Sequence, residues 1–184
     1  DDTKALKSLA KSWHGSADGR IRVSVDPHAA YTVDPVYMKE LRETAKELNR
    51  KYGSPDQPII WHIHAAETSD EPEKIRKAFN VDLNGGVFEY LDSLNVLGTD
   101  VIAAHCVNLT EKDIDIVAKS GVKVSHNPVS NLKLGTGVSP VPKLLEAGAV
   151  TSLGTDSSCS NNSSDMFESM KIAALLHKGV NHNP

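Results

Sequence analysis

Three observations predict an α/β protein with a parallel sheet. Short β-branched or apolar runs alternate with amphipathic stretches five times along the chain, and no hairpin signal such as Asn-Gly joins neighbouring runs. Histidine or aspartate recurs where each run gives way to polar residues, the end of a parallel strand at which active sites form. Five strand–helix units are too few to close an eight-stranded barrel, which takes about 250 residues. The pattern therefore fits either an open sheet or part of a barrel.

Each element has its own signal. Residues 21–27 alternate apolar and polar positions as a strand. Asp34 caps a helix with Pro35 at its first position; Tyr37, Leu41, Ala45 and Leu48 form one stripe, and Gly53 ends it. Residues 58–65 read as the second strand, and 71–97 hold at least one helix around the turn cluster Asn84-Gly85-Gly86. Residues 101–106 form the third strand. Thr110 and Asp113 make a capping box for a helix carrying Ile114, Val117 and Ala118, stopped before Gly121. Residues 122–125 are the fourth strand. Pro142 opens a short helix through Leu144, Leu145 and Ala147, ended by Gly148; 150–153 are the fifth strand. Residues 164–177 form a last helix with Met166, Met170 and Ala173 on one face.

A length of 184 residues suffices for one domain with a substantial core. A net charge of −4, with no Lys/Arg run, argues against a nucleic-acid surface and raises the expectation of a small-molecule substrate. Cys106 and Cys159 are too few for a disulfide framework; they read as reduced thiols, or as small apolar side chains lining the site they adjoin. The absence of a CxxC pattern excludes the cytidine-deaminase type of zinc site. The N-terminal Asp-Asp-Thr-Lys-Ala-Leu-Lys has no apolar core, and no run reaches transmembrane length, so a cytoplasmic protein without membrane contact is expected. The lack of an initiator Met reads as a trimmed beginning.

The candidate site is a conjunction. His28, His64, His105 and His126 stand at the ends of four strands and Asp156 at the end of the fifth, whereas His14, His177 and His182 call for no explanation. His64 offers a neutral nitrogen to a metal, and Glu67, three residues on, can move protons beside it. His62 and His64, two apart on a strand, share a face. They either chelate as a pair, or His62 lies one layer deeper as a core histidine; the second reading is preferred. His105 taken alone is also what a backbone-bonded core histidine looks like, and Asp156 also suits a helix cap.

At these residues the chain resembles the amidohydrolase superfamily, and within it the 5-methylthioadenosine/S-adenosylhomocysteine deaminases and related chlorohydrolases. The matching stretches are Pro-His28-Ala-Ala-Tyr-Thr, His62-Ile-His64-Ala-Ala-Glu67-Thr, Ala-His105-Cys-Val-Asn-Leu-Thr, Ser-His126-Asn-Pro-Val-Ser-Asn-Leu-Lys-Leu-Gly, Pro-Val-Pro-Lys-Leu-Leu-Glu-Ala-Gly and Leu-Gly-Thr-Asp156 through Asn162, an ordered set across about residues 21–178. The resemblance implies a metal-dependent hydrolase (β/α)8 TIM barrel, here a single partial barrel domain over 1–184. It would hold the fourth to eighth strands and lack the N-terminal strands and a small β-sandwich domain. It implies one divalent ion, zinc first and iron or manganese next, with His64 and Asp156 as ligands. Glu67, His105 and Asp156 would be catalytic, and His28, Glu67 and His105 would touch substrate.

The first-strand His-x-His of that family has no counterpart here, since the H-A-A-E context of His62-Ile-His64 matches the fifth strand. Ala30 stands where the family commonly has proline, and Ser157-Ser158-Cys159 where Gly-Ala-Ala is common. The implied reaction is hydrolytic deamination of an adenine-type nucleoside: Asp156 takes the proton of the attacking water, Glu67 protonates the ring nitrogen and His105 stabilises developing charge. Chloride or amine displacement from a triazine, and guanine deamination, by the same groups are the alternatives. A third is a catalytically incompetent piece, whose open sheet edges and apolar face would favour a homo-oligomer.

Overall fold

The computed structural model describes residues 2–182; Asp1, Asn183 and Pro184, outermost in the stretch read as one domain, lie outside the described residues. Two helices lead in, α1 (Asp2–Trp13) and the short α2 (Ser16–Gly19). Five strands follow: β1 (Ser24–Val25), β2 (Ile60–Ala65), β3 (Val101–His105), β4 (Lys123–His126) and β5 (Val150–Leu153). They pair in chain order, every pair parallel. Helical segments make each crossover: α3 (Pro35–Tyr52), α4 (Glu71–Phe79) with α5 (Val87–Ser93), α6 (Glu111–Ser120), and α7 (Pro128–Leu134) with α8 (Val141–Glu146). The short α9 (Ser158–Asn161) and α10 (Met166–Asn181) close the chain.

Alternation along the strands separates the sheet's two faces. Trp61, Ile63 and Ala65 of β2, Val101 and Ala103 of β3 and Val124 of β4 are all buried, and on α3 the buried stripe is Met38, Leu41, Ala45 and Leu48. Ile60, His62 and His64 alternate with the buried residues of β2; Ile102, the register partner of His62, and Ser125, paired with Ala104 beside His64, continue that second face, which stays partly open. Val150 is 59% exposed there, and a hollow of about 260 Å³ opens between Arg22, Val23, Ser24, Pro58, Ile60 and Ile102.

Local chemistry sets the helix starts. The Asp34 carboxylate accepts from the amides of Val36 at 2.8 Å and Tyr37 at 3.2 Å, with Pro35 at the first position where its missing N–H costs nothing. Asp113 serves two helices. One oxygen accepts from Thr110 N at 3.0 Å in the capping box of α6, and the other accepts from Phe88 N and Glu89 N at 2.9 and 3.1 Å at the start of α5. Arg42 of α3 reaches the loop before β3, bonding Asp100 through both terminal nitrogens at 2.7 and 2.6 Å, with its guanidinium 5.9 Å from the Trp61 ring.

The structure departs from the sequence expectation in three places. The first strand pairs only over Ser24–Val25, because among the described residues it has a partner on one side alone. The expectation of at least one helix over 71–97 is met by two, on either side of the Asn84-Gly85-Gly86 turn. Helices α1 and α7 carry no sequence expectation, and α7 begins at Pro128, inside the Ser-His126-Asn-Pro stretch. Finally, of the face expected on the last helix, Ala173 is buried, beside Ser169, whereas Met166 and Met170 are 42% and 53% exposed.

Candidate active site

The site lies at the C-terminal ends of the strands, where the backbone takes unusual turns. Ala66, His105, Cys106 and Asp156 all have positive φ, at 53°, 76°, 49° and 60°. For residues with a Cβ this region is sparsely populated, and the strain persists only where surrounding bonds fix it. Those bonds are present: Cys106 N donates to Ala65 O at 3.1 Å, while Val107 N and Asn108 N both donate to Ala66 O, at 2.9 and 2.8 Å.

Three of the four strand-end histidines form a row. The His28 and His64 rings are 5.1 Å apart, and His64 stacks on His105 at 5.5 Å. His28 bonds Thr32 Oγ1 through Nδ1 at 2.8 Å. His64 donates Nδ1–H to the carbonyl of His28 at 2.8 Å, which leaves Nε2 carrying the lone pair. His105, 1% exposed, donates Nδ1–H to Asn131 Oδ1 at 2.9 Å, and Glu67 Oε1 stands 4.0 Å from the same nitrogen. The structure thus brings His28, His64, Glu67 and His105 together across β1, β2 and β3.

Asp156 follows β5, near enough to His105 to feel its charge. Gly154 lets the chain pass close to β4 before it: a Cβ there would stand 2.3 Å from Asn127 Oδ1 and 2.6 Å from Ser125 Oγ. One Asp156 oxygen accepts from Ser130 Oγ at 2.7 Å and Ser160 Oγ at 2.6 Å. Burial works to raise its pKa, but the two hydroxyls and the nearby His105 more than offset that, so the carboxyl sits below the usual range.

His126 and His62 play other parts. His126 turns from the row toward His177 of α10, with Nε2 atoms 3.3 Å apart. Burial, then His177 and His105, push its pKa down to about 4. His177 therefore has a partner after all, as does His14, which accepts from Val23 N at 3.1 Å and bonds Gln57 O at 3.0 Å. The preferred reading of His62 as a core histidine is also corrected: its side chain is 45% exposed and lies 3.9 Å from Asp26, because the face it occupies is open. Cys106 is fully buried with its thiol pKa pushed up by that burial, and Cys159 is exposed. Four residues around the site went unassigned in the sequence reading: Glu71, Asn108, Ser130 and Asn131. The last three fall within motif stretches, so the signal was present without a role attached.

As a metal centre the donor set is partial. His64 has its outer nitrogen anchored and its inner one free, the arrangement typical of a ligating histidine, and Asp156 is an oriented, ionised carboxylate. These two fit a zinc-class ion in chemistry. Among the described residues, no three His, Cys, Asp or Glu side chains converge as a complete site.

The parallel sheet and its crossover helices place these histidines and carboxylates at the strand ends where α/β proteins build active sites. The chain belongs to the amidohydrolase family, whose model matches residues 1–184. It is 44% identical over 178 residues to a 5'-deoxyadenosine deaminase of Methanopyrus kandleri, covering 97% of this chain and 38% of that protein. It is 40% identical over 177 residues to a 5-methylthioadenosine/S-adenosylhomocysteine deaminase of Dictyoglomus thermophilum, covering 96% and 38%. Among solved structures it resembles an adenosine deaminase from Xanthomonas campestris with bound zinc, at TM-score 0.83 and 31% identity over 97% of this chain and 37% of that one. An atrazine chlorohydrolase from Arthrobacter aurescens complexed with zinc has TM-score 0.85 at 20% identity, over 98% and 37%, a likeness of fold alone. The chain spans less than two-fifths of the length of these relatives, and its five parallel units fit a partial barrel.

Proposed function

We propose that this chain forms the fourth to eighth strands of a (β/α)8 barrel whose complete site deaminates an adenine-type nucleoside such as 5'-deoxyadenosine, methylthioadenosine or S-adenosylhomocysteine. The observation that carries the reading is the close set of His64, His105 and Glu67, with Asp156 oriented by two serines. The names of the relatives at 40–44% identity supply the substrate class. His64 and Asp156 would hold a divalent ion, zinc by the solved relatives, with the remaining ligands and a small β-sandwich domain contributed from outside these residues. Such an ion, when bound, supplies water with a pKa lowered toward ~7.

The chain's own groups then divide the proton work. Asp156, kept ionised, accepts the proton released as the ring carbon bearing the amine is attacked. Glu67 delivers a proton to the neighbouring ring nitrogen and assists loss of ammonia. His105, oriented by Asn131, steadies the developing charge, and His28 contacts the ring or sugar. In the complete barrel, Glu67→Gln should retain metal and lose most ammonia release from methylthioadenosine; an undiminished rate in that variant refutes the proton role.

The 184 residues by themselves are read as catalytically incompetent, on the absence of a three-donor cluster among the described residues. Elemental analysis of this chain purified without chelator tests this: one tightly held ion per chain would contradict it. The open inner face of the sheet supports self-association, and the unpaired thiols fit a reducing, cytoplasmic setting. Among the described residues no helix is long and apolar enough to cross a membrane.

A further inference from the structure

We propose that Glu71 and Asn108 form a two-sided backbone clamp that positions Glu67 for proton transfer. The inference rests on the reading of Glu67 as the proton carrier. Glu71 is the first residue of α4 and is 1% exposed. A buried carboxylate is costly unless hydrogen bonds compensate it, and all its bonds go to one place. Its oxygens accept from Ala66 N at 2.9 Å, Glu67 N at 2.7 Å and Thr68 N at 3.1 Å. Three successive amides converge because Ala66 takes the left-handed conformation, which curls the loop into an anion-holding concavity. These amides lie ahead of α4 and none belongs to its first turn, so capping the helix does not account for the burial of Glu71.

The other jaw comes from the loop after β3. Asn108 Nδ2 donates to Glu67 O at 2.7 Å and to Thr136 O at 3.3 Å, while Asn108 N and Val107 N hold Ala66 O. Glu67 is thus gripped at its amide by Glu71 and at its carbonyl by Asn108, two bonds of 2.7 Å on opposite sides of one residue. Only its side-chain torsions remain free, and Oε1 stands 4.0 Å from His105 Nδ1. Because Asn108 lies three residues beyond His105, the clamp also ties the proton carrier to the strand bearing its neighbour. Glu71 and Asn108 are positioning residues; neither is among the groups that would touch substrate.

The test is a double-mutant cycle in the complete barrel with methylthioadenosine as substrate. Glu71→Gln keeps the shape of the side chain but turns one acceptor into an NH2 group facing the loop amides. A misplacement of about 1 Å can cost on the order of 100-fold, so kcat should fall about 10- to 100-fold, with KM within about threefold and metal content unchanged. In a Glu67→Gln background the same substitution should lower the residual rate little further, since the group being positioned is already gone. A full rate in Glu71→Gln, or an equal fold-loss in both backgrounds, overturns the clamp. Should Glu71→Gln fail to fold, Asn108→Ala, which removes a donor at a half-buried position, carries the same cycle with the same two outcomes. If Glu67→Gln itself keeps the parent rate, the reading of Glu67 fails; if it loses rate while both clamp variants keep theirs, only the clamp fails.

Discussion

His126 should make the stability of this chain fall in mild acid by an amount that can be worked from its surroundings. It ends β4 at 1% exposure, its Nδ1 has no hydrogen-bond partner, and its Nε2 meets the Nε2 of His177. Burial first, then the His177 and His105 rings, lower its pKa from 6.5 to about 4. Above pH 6.5 neither the folded nor the unfolded chain is protonated here. Between 6.5 and 4 only the unfolded chain takes up the proton, so stability drops as pH falls, and the loss is complete below about 4. With one pKa unit worth 1.36 kcal/mol, the loss between pH 7 and pH 5 is about 2 kcal/mol. Urea unfolding at pH 7, 6 and 5 should show it as a lower midpoint with an unchanged slope. His126→Gln removes the titrating group; it should be the less stable protein at pH 7 but should lose about 2 kcal/mol less on acidification. A constant gap between the two proteins from pH 7 to pH 5 would refute the reasoning, because the remaining histidines titrate in both.

Three further outcomes follow from packing and ligation. Trp61→Ala, at a fully buried position beneath Arg42, should cost about 3–5 kcal/mol in urea unfolding; a loss under 1 kcal/mol would mean the outer face of β2 is not the core. Gly154→Ala should disturb the approach of Asp156, because its Cβ would meet Asn127 and Ser125 within 2.6 Å; in the complete barrel, metal occupancy should fall, and full occupancy would contradict the account of that turn. His64→Ala in the complete barrel should also lower metal stoichiometry by elemental analysis, and retention of a full equivalent would remove His64 from the ligand set.

The strand-to-helix order was legible because it rests on local signals. Asp34-Pro35 and Thr110-x-x-Asp113 state helix starts in residue types that satisfy free amides, and the structure uses both. The histidine row was legible as a set, since three strand ends in register bring His28, His64 and His105 side by side. What sequence could not supply was direction. His126 has the same position on its strand as His105 yet turns to α10, and only the packed helix reveals His177 waiting there. Nor could it show which neighbours fix the site. Glu71 reads as an ordinary acidic residue in a first helical turn, and its three amide partners exist only once Ala66 adopts positive φ. His62 was misjudged for a related reason: a strand residue one layer down is buried only if the barrel around it is closed.

That last point separates what makes the chain fold from what makes a site. The large buried side chains, Trp61, Ile63, Phe88, Leu91, Met38 and Leu144, belong to the outer face of the sheet and the helices laid over it. The inner face carries Ile60, His62, Ser125 and Ser152 and contributes little to that core. Burial of apolar area is the main favourable term in folding, so five βα units can hold their layer together without closing a ring. Their strand ends, and with them the clamp on Glu67 and the serines on Asp156, are set by bonds internal to these units. Chemistry is different on the proposed reading, because the metal centre would draw donors from strands outside these residues. On the proposed reading the half-site is set by these units alone, and supplying the strands proposed to lie outside these residues should raise metal binding without refolding this layer. A large change in the far-ultraviolet circular dichroism of these 184 residues on completion would show instead that the site and the fold form together.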